Sequence, residues 1–117
     1  MPRRVDLHTH SRHSDGTASP AEVVRRSKAR GVEMLVLTDH DTVGGCAEAA
    51  LEAARVGLRF GSGIEINTRD GDMLHVLGYG INTGSSRLAD RLTEFRSRRA
   101  NRIRSIVERL RAAGVDI

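Results

Sequence analysis

The sequence predicts an α/β chain built on a parallel sheet or barrel, with ionisable residues gathered at the C-terminal ends of its strands. Three observations predict it. Val5 to His10 alternates as a short strand should, which places His8 and His10 on one face. Val32 to Thr38 is nearly all apolar, as a strand covered on both faces requires, and it breaks abruptly into Asp39-His40-Asp41-Thr42. Helix-period segments separate these strands, an order that favours parallel strands joined by crossover helices. In such folds the C-terminal strand ends are where sites are built.

The elements follow in order. Ser14-Asp15-Gly16 is a turn signal just past the first strand. Ser19 reads as an N-cap, Pro20 as the first helical residue and Glu22 as the partner in a capping box. That helix is expected to reach about Arg30, with Val23, Val24 and Ser27 inward and Gly31 as its stop. Gly44 to Arg55 is alanine-rich and helical, stopped by Gly57. Leu58-Arg59-Phe60 begins a strand that continues through Gly63-Ile64-Glu65-Ile66-Asn67, and Thr68 to Asp72 is a turn. Met73 to Tyr79 is expected to form the second arm of a hairpin. A three-residue loop Arg69-Asp70-Gly71 would place Glu65 directly opposite His75. After a polar linker, with Ser85 or Ser86 as cap, Leu88, Leu92, Phe95, Ile103, Ile106, Val107 and Leu110 recur at helical spacing as far as Gly114. At ~1.5 Å per residue this helix would be roughly 40 Å long, more than a small barrel needs. It is expected to leave the α/β layer for a separate helical lobe.

At 117 residues, 38% hydrophobic and 29% charged, the chain has the composition of one globular domain. No apolar run approaches the ~18 residues of a membrane span. The N-terminus enters the first strand without an apolar leader, and the single Cys46 can form no internal disulfide, so a cytoplasmic location is expected. The net charge of +4 is uneven: residues 85–117 hold nine arginines against four acids, while the first 84 are slightly acidic. That suggests metal chemistry beside an anion-binding surface, or a solvated basic helix face. Phe60, Tyr79 and Phe95 are the only aromatics of their class, too few to supply base-stacking platforms.

Six residues stand where ligands would: His8, His10, Asp15, His40, Glu65 and His75. Each alone reads as a turn or a satisfied polar group, but six at the strand ends of one frame point to a metal site. Imidazole and carboxylate without thiolate suit zinc, manganese or iron, and this many ligands suit more than one ion. Glu65, between two isoleucines, needs a partner to be buried, and bridging two ions would supply it. Asp39 and Asp41 are expected to orient His40 or neighbouring ligands. Cys46 is expected in the core, and His13 at the surface or against substrate.

Asp6-Leu7-His8-Thr9-His10-Ser11, Ser14-Asp15-Gly16, Thr38-Asp39-His40-Asp41-Thr42, Gly63-Ile64-Glu65-Ile66 and His75-Val76-Leu77-Gly78 together resemble the successive signatures of the PHP (polymerase and histidinol phosphatase) family. The resemblance is strongest to its small bacterial phosphoesterases acting on nucleoside 3′,5′-bisphosphates and short oligonucleotides. It implies a distorted seven-stranded, TIM-like β/α barrel holding up to three divalent ions. Residues 1–84 would be its N-terminal part and 85–117 the start of an inserted helical lobe. It implies that His8, His10 and Glu65 bind one ion, Glu65 and His75 a second, and Asp15 and His40 a third. The family completes these sites with a later histidine and an Asp-x-His pair, and no histidine follows His75. The chain is therefore expected to be the first half of a larger domain, with weak metal binding and little activity by itself.

The expected reaction of the complete enzyme is hydrolysis of a phosphate ester, with a hydroxide bridging two ions as nucleophile. Arg99 and Arg102, mid-helix, are candidates to fork onto a second substrate phosphate. An amidohydrolase, whose barrels also open on His-x-His, is a second reading. The only lysine, Lys28, lies in the first helix and disfavours the version that uses a carboxylated strand lysine. A third reading is a non-catalytic module that binds metal or, through its arginine helix, nucleic acid.

Overall fold

The computed structural model describes residues 3–68 and 74–117, as β1 (Val5–Thr9), α1 (Pro20–Ala29), β2 (Met34–Leu37), α2 (Cys46–Val56), β3 (Arg59–Asn67), β4 (His75–Tyr79) and α3 (Ser86–Ala112). The chain divides into two compact units, Met1–Thr83 and Gly84–Ile117. In the first, a four-stranded sheet runs in the order β1-β2-β3-β4. β1, β2 and β3 are parallel and β4 returns antiparallel.

α1 begins at its expected cap, whereas α2 begins at Cys46, two residues after the expected Gly44, and ends at Val56. Ser19 Oγ accepts the Glu22 backbone N–H at 3.2 Å, with Pro20 at the first helical position. The Glu22 carboxylate pairs with Arg26 one turn on, so the cap is made from the serine side. α2 closes on Gly57, whose φ of 66° is left-handed and suits a residue without Cβ. Val24 of α1, Ala49 and Ala53 of α2, Leu35 and Leu37 of β2, and Leu58 form one buried cluster. Burying each of the larger side chains is worth roughly 1.5–3 kcal/mol. Leu35 and Leu37 share a face by strand alternation, while Val36 turns to the opposite face against Gly61 and Gly63. Cys46 is buried, as expected of a core residue.

β2 is shorter than its apolar run suggested, because the pairing with β3 ends at Leu37 and the chain beyond turns to other partners. The hairpin register is the larger correction. Glu65 pairs with Leu77, and His75 with Asn67, two residues from the expected alignment. The physical cause lies where the two strands meet the hairpin connection. Thr68 and Leu74 close it, with both the Thr68 N–H and its hydroxyl donating to the Leu74 carbonyl at 3.1 and 2.7 Å. The expected loop at Arg69-Asp70-Gly71 and the expected strand start at Met73 lie outside the described residues. A shift of two preserves parity, so Glu65 and His75 still share a face.

The second unit is dominated by α3, which runs 27 residues from a Ser85 cap that accepts the Leu88 N–H at 3.3 Å. Ile103, Ile106 and Leu110 are exposed along it.

Candidate metal centre

The C-terminal ends of β1 and β2 and the β3–β4 hairpin bring six predicted residues together. His8 of β1 and His10, one residue past it, both reach Glu65 Oε2. A break in the β1–β2 register between Asp6 and Thr9 adjusts the strand just there. His40, just past β2, forms an isolated parallel bridge with Glu65 of β3. Glu65 is gripped through its backbone as well: its N–H donates to the Asp39 carbonyl at 3.1 Å, and its carbonyl accepts the Asp41 N–H at 3.0 Å.

Glu65 is the hub. Its side chain is 4% exposed, yet Oε2 lies 2.8 Å from His8 Nε2, 2.9 Å from His10 Nε2 and 3.6 Å from His40 Nε2. Its Oε1 lies 2.7 Å from His75 Nδ1. Asp15 closes the other flank, with Oδ1 3.0 Å from His10 Nδ1 and Oδ2 3.4 Å from His40 Nε2. The imidazoles pack against one another, His10 and His40 with ring centres 4.6 Å apart. Burial pushes both carboxyls up, but imidazoles outweigh it. Glu65 is held below its ordinary value by hydrogen bonds from His8 and His75, and Asp15 by the charges of His10 and His40.

This donor set fits divalent ions. Three overlapping groups have ligand atoms within 4.8 Å of one another: His8, His10 and Glu65; His10, Asp15 and His40; and His40, Glu65 and His75. Ligands ~2.0–2.2 Å from a common tetrahedral ion lie about 3.3–3.6 Å apart, so donors now 2.7–3.6 Å from Glu65 need little movement to receive one. The proton count at His10 accommodates such an ion. Both nitrogens of His10 face carboxylates, and a neutral imidazole has one N–H to offer. The other contact is met by a second proton on the ring or by a divalent ion shared with Glu65.

The expected supporting carboxylates hold segments beside the ligands, Asp39 through Ser11 and Ser14 and Asp41 through Asn67. Asp39, 1% exposed, accepts three hydrogen bonds at 2.7 Å, from the Ser11 N–H, the Ser11 hydroxyl and the Ser14 hydroxyl. Asp39 thereby fixes the loop that carries Asp15. Asp41, buried at a positive φ of 50°, accepts the Asn67 backbone N–H at 3.2 Å and its amide at 3.4 Å. His40 Nδ1 is buried and has no hydrogen-bond partner among the described residues. His13 is exposed and stands outside the three groups. Arg99 and Arg102 are exposed on α3, in the second unit. Lys28 donates to the Gly57 carbonyl at 2.8 Å, at the far end of α2, so it is no bridging ligand. Sequence reasoning missed Ser11, Ser14 and Asn67. Two serines three residues apart directly after His-x-His were the available signal for the first pair.

The PHP domain pattern matches residues 6–109, nearly the whole chain. The chain belongs to the PHP domain family. Among its relatives, a 3′,5′-nucleoside bisphosphate phosphatase of Chromobacterium violaceum is 45% identical over 95% of this chain and 39% of its own length. A 5′-3′ exoribonuclease of Haemophilus influenzae is 37% identical over 98% of this chain and 42% of its own. Among solved structures, an amidohydrolase from Chromobacterium violaceum with bound sulfate and no metal superposes with a TM-score of 0.86 and 43% identity, over 97% of this chain and 40% of that one. A protein from Bifidobacterium adolescentis assigned as a metal-dependent phosphoesterase gives 0.83 and 29%, over 95% and 40%. The chain spans about two fifths of the length of these relatives. The sheet and helices of this PHP chain thus match part of the family's α/β fold, and the two curated relatives above are named as a phosphatase and an exoribonuclease.

Proposed function

We propose that this PHP chain contributes to a metal-dependent phosphoesterase acting on phosphorylated nucleosides, with nucleoside 3′,5′-bisphosphates or short oligonucleotides as substrates. The observation that carries the proposal is the sharing of one buried carboxylate, Glu65, among four imidazoles at the strand ends of a PHP fold. His8, His10 and Glu65 would hold one divalent ion, Glu65 and His75 a second, and Asp15 and His40 a third. Manganese, zinc and iron all suit these donors. Bound there, such ions supply Lewis acidity to a phosphoryl oxygen and acidify water at neutral pH. The chain's own part is to hold the donors in place. Glu65 is anchored by backbone on both sides, Asp39 sets the Asp15 loop, and Asp41 holds Asn67 beside His75.

The second unit would be the start of an inserted helical lobe, beginning near residue 85. In it, Arg99 and Arg102 would fork onto a second substrate phosphate. No helix among the described residues is long and apolar enough to cross a membrane, and a cytoplasmic enzyme is the reading we favour. The name of one structural relative favours a second reading, amide hydrolysis. Assaying the whole protein with Mn2+ separates the two. Release of inorganic phosphate from a nucleoside 3′,5′-bisphosphate, abolished by His8→Ala, is expected. Hydrolysis of an amide panel without phosphate release would overturn the phosphoesterase assignment. Salt-sensitive nucleic-acid binding without turnover would favour a non-catalytic module.

A further inference from the structure

The Ser14 hydroxyl sits at the junction of three ionisable groups. It lies 2.7 Å from Asp39 Oδ1, 3.3 Å from Asp15 Oδ1 and 3.4 Å from His10 Nδ1. A hydroxyl has one proton, and the shortest contact, to a buried carboxylate, takes it. Toward His10, Ser14 then presents only lone pairs. The Asp15 carboxylate, 3.0 Å from the same nitrogen, also only accepts. Two acceptors therefore converge on His10 Nδ1.

The hydroxyl cannot easily turn away. Asp39 takes the Ser11 hydroxyl proton on its other oxygen at 2.7 Å. The Ser11 carbonyl accepts the Ser14 and Gly16 N–H groups at 3.1 and 3.0 Å, which locks the turn. A Cβ at Gly16 would meet the His10 carbonyl oxygen at 2.7 Å, so the close approach of this turn to β1 depends on glycine. The turn, the serines and Asp39 form one rigid piece around His10.

Building on the reading of His8, His10 and Glu65 as a metal group, we propose that Ser14 is a positioning residue that fixes the His10 tautomer. With its own proton directed to Asp39, it keeps the imidazole proton on Nδ1 and leaves the Nε2 lone pair for a divalent cation shared with Glu65. Asp15 then has two tasks: Oδ1 receives the His10 proton, while Oδ2 remains free for the ion beside His40. In this arrangement His10 serves the Glu65 group rather than the Asp15 group, although its ring lies within reach of both.

The test uses Zn2+, which is diamagnetic, on the whole chain. Long-range 15N–1H spectra of the loaded chain should show His10 protonated on Nδ1 and metallated on Nε2. Ser14→Ala should weaken Zn2+ binding about tenfold in chelator competition. Ser14→Thr, which keeps the hydroxyl, should restore most of it. Metal-free Ser14→Ala should unfold below the other two, because buried Asp39 loses a hydrogen bond, so affinities are compared where all three are folded. A wild-type His10 protonated on Nε2, or an affinity unchanged by Ser14→Ala, overturns the proposal while the metal-centre reading stands. A wild-type chain that takes up no Zn2+ overturns that reading and the proposal with it. Should Ser14→Ala fail to fold, the wild-type spectra decide alone.

Discussion

His75 reaches Glu65 diagonally across the hairpin, with its Nδ1 2.7 Å from Oε1, although the register pairs His75 with Asn67. Diagonal neighbours on an antiparallel pair stand farther apart than direct ones, yet a long imidazole spans the gap. His75 touches the hub from one side only, whereas Glu65 is common to two of the three donor groups. Glu65→Gln should therefore weaken Mn2+ binding about a hundredfold, roughly 2.7 kcal/mol, and His75→Ala about tenfold. Isothermal titration measures both, and the reverse order would remove Glu65 from its central place.

Metal should also stabilise the fold. Ions that bind only the folded chain add about 2.7 kcal/mol at a hundredfold excess over Kd. Thermal unfolding with and without Zn2+ should show a rise that EDTA reverses, and that His8→Ala largely removes.

An ion pair also links α1 and α2. Glu52 accepts hydrogen bonds from Arg55 and, across to α1, from Arg25, and these hold its carboxyl down at about 2 against an ordinary 4.5. A depressed folded-state value stabilises the fold above the unfolded value, and that contribution is lost as pH falls. The window therefore runs from about 4.5 down to about 2. Acid unfolding of Glu52→Gln should show a shallower loss of stability across this interval than wild type.

Gly63 is a steric prediction. A Cβ there would lie 2.5 Å from Val36 Cγ1, 2.8 Å from Thr38 Cγ2 and 3.0 Å from the Leu37 carbonyl oxygen. One of these neighbours is backbone and cannot rotate away. Gly63→Ala should cost about 1–3 kcal/mol in urea unfolding. An unchanged midpoint would show that β2 and β3 can separate locally.

Much of this was legible in the sequence, for identifiable reasons. Strand alternation placed His8 with His10, the break from apolar run to Asp39-His40-Asp41 marked the end of β2, and burial of Glu65 between isoleucines demanded partners. The hairpin register was not legible, because turn chemistry at Asp70-Gly71 suggests a tight loop while the pairing is set by Thr68 against Leu74. The parity of the strand nevertheless protected the pairing of Glu65 with His75 from that error. The partners of Asp39 were hidden for another reason. Whether a carboxylate supports a ring or a loop depends on three-dimensional approach, and Ser11 and Ser14 lie 28 and 25 residues from it in sequence.

Glu65 is fastened at its own peptide groups, to the Asp39 carbonyl and the Asp41 amide, so its backbone position does not rest on the side chains around its carboxylate. The surrounding donors can then be exchanged one at a time around a fixed centre. That makes the cluster a candidate scaffold for rewriting metal preference, for instance toward softer ions by placing a thiolate at His8 or His75, with the frame left as it stands.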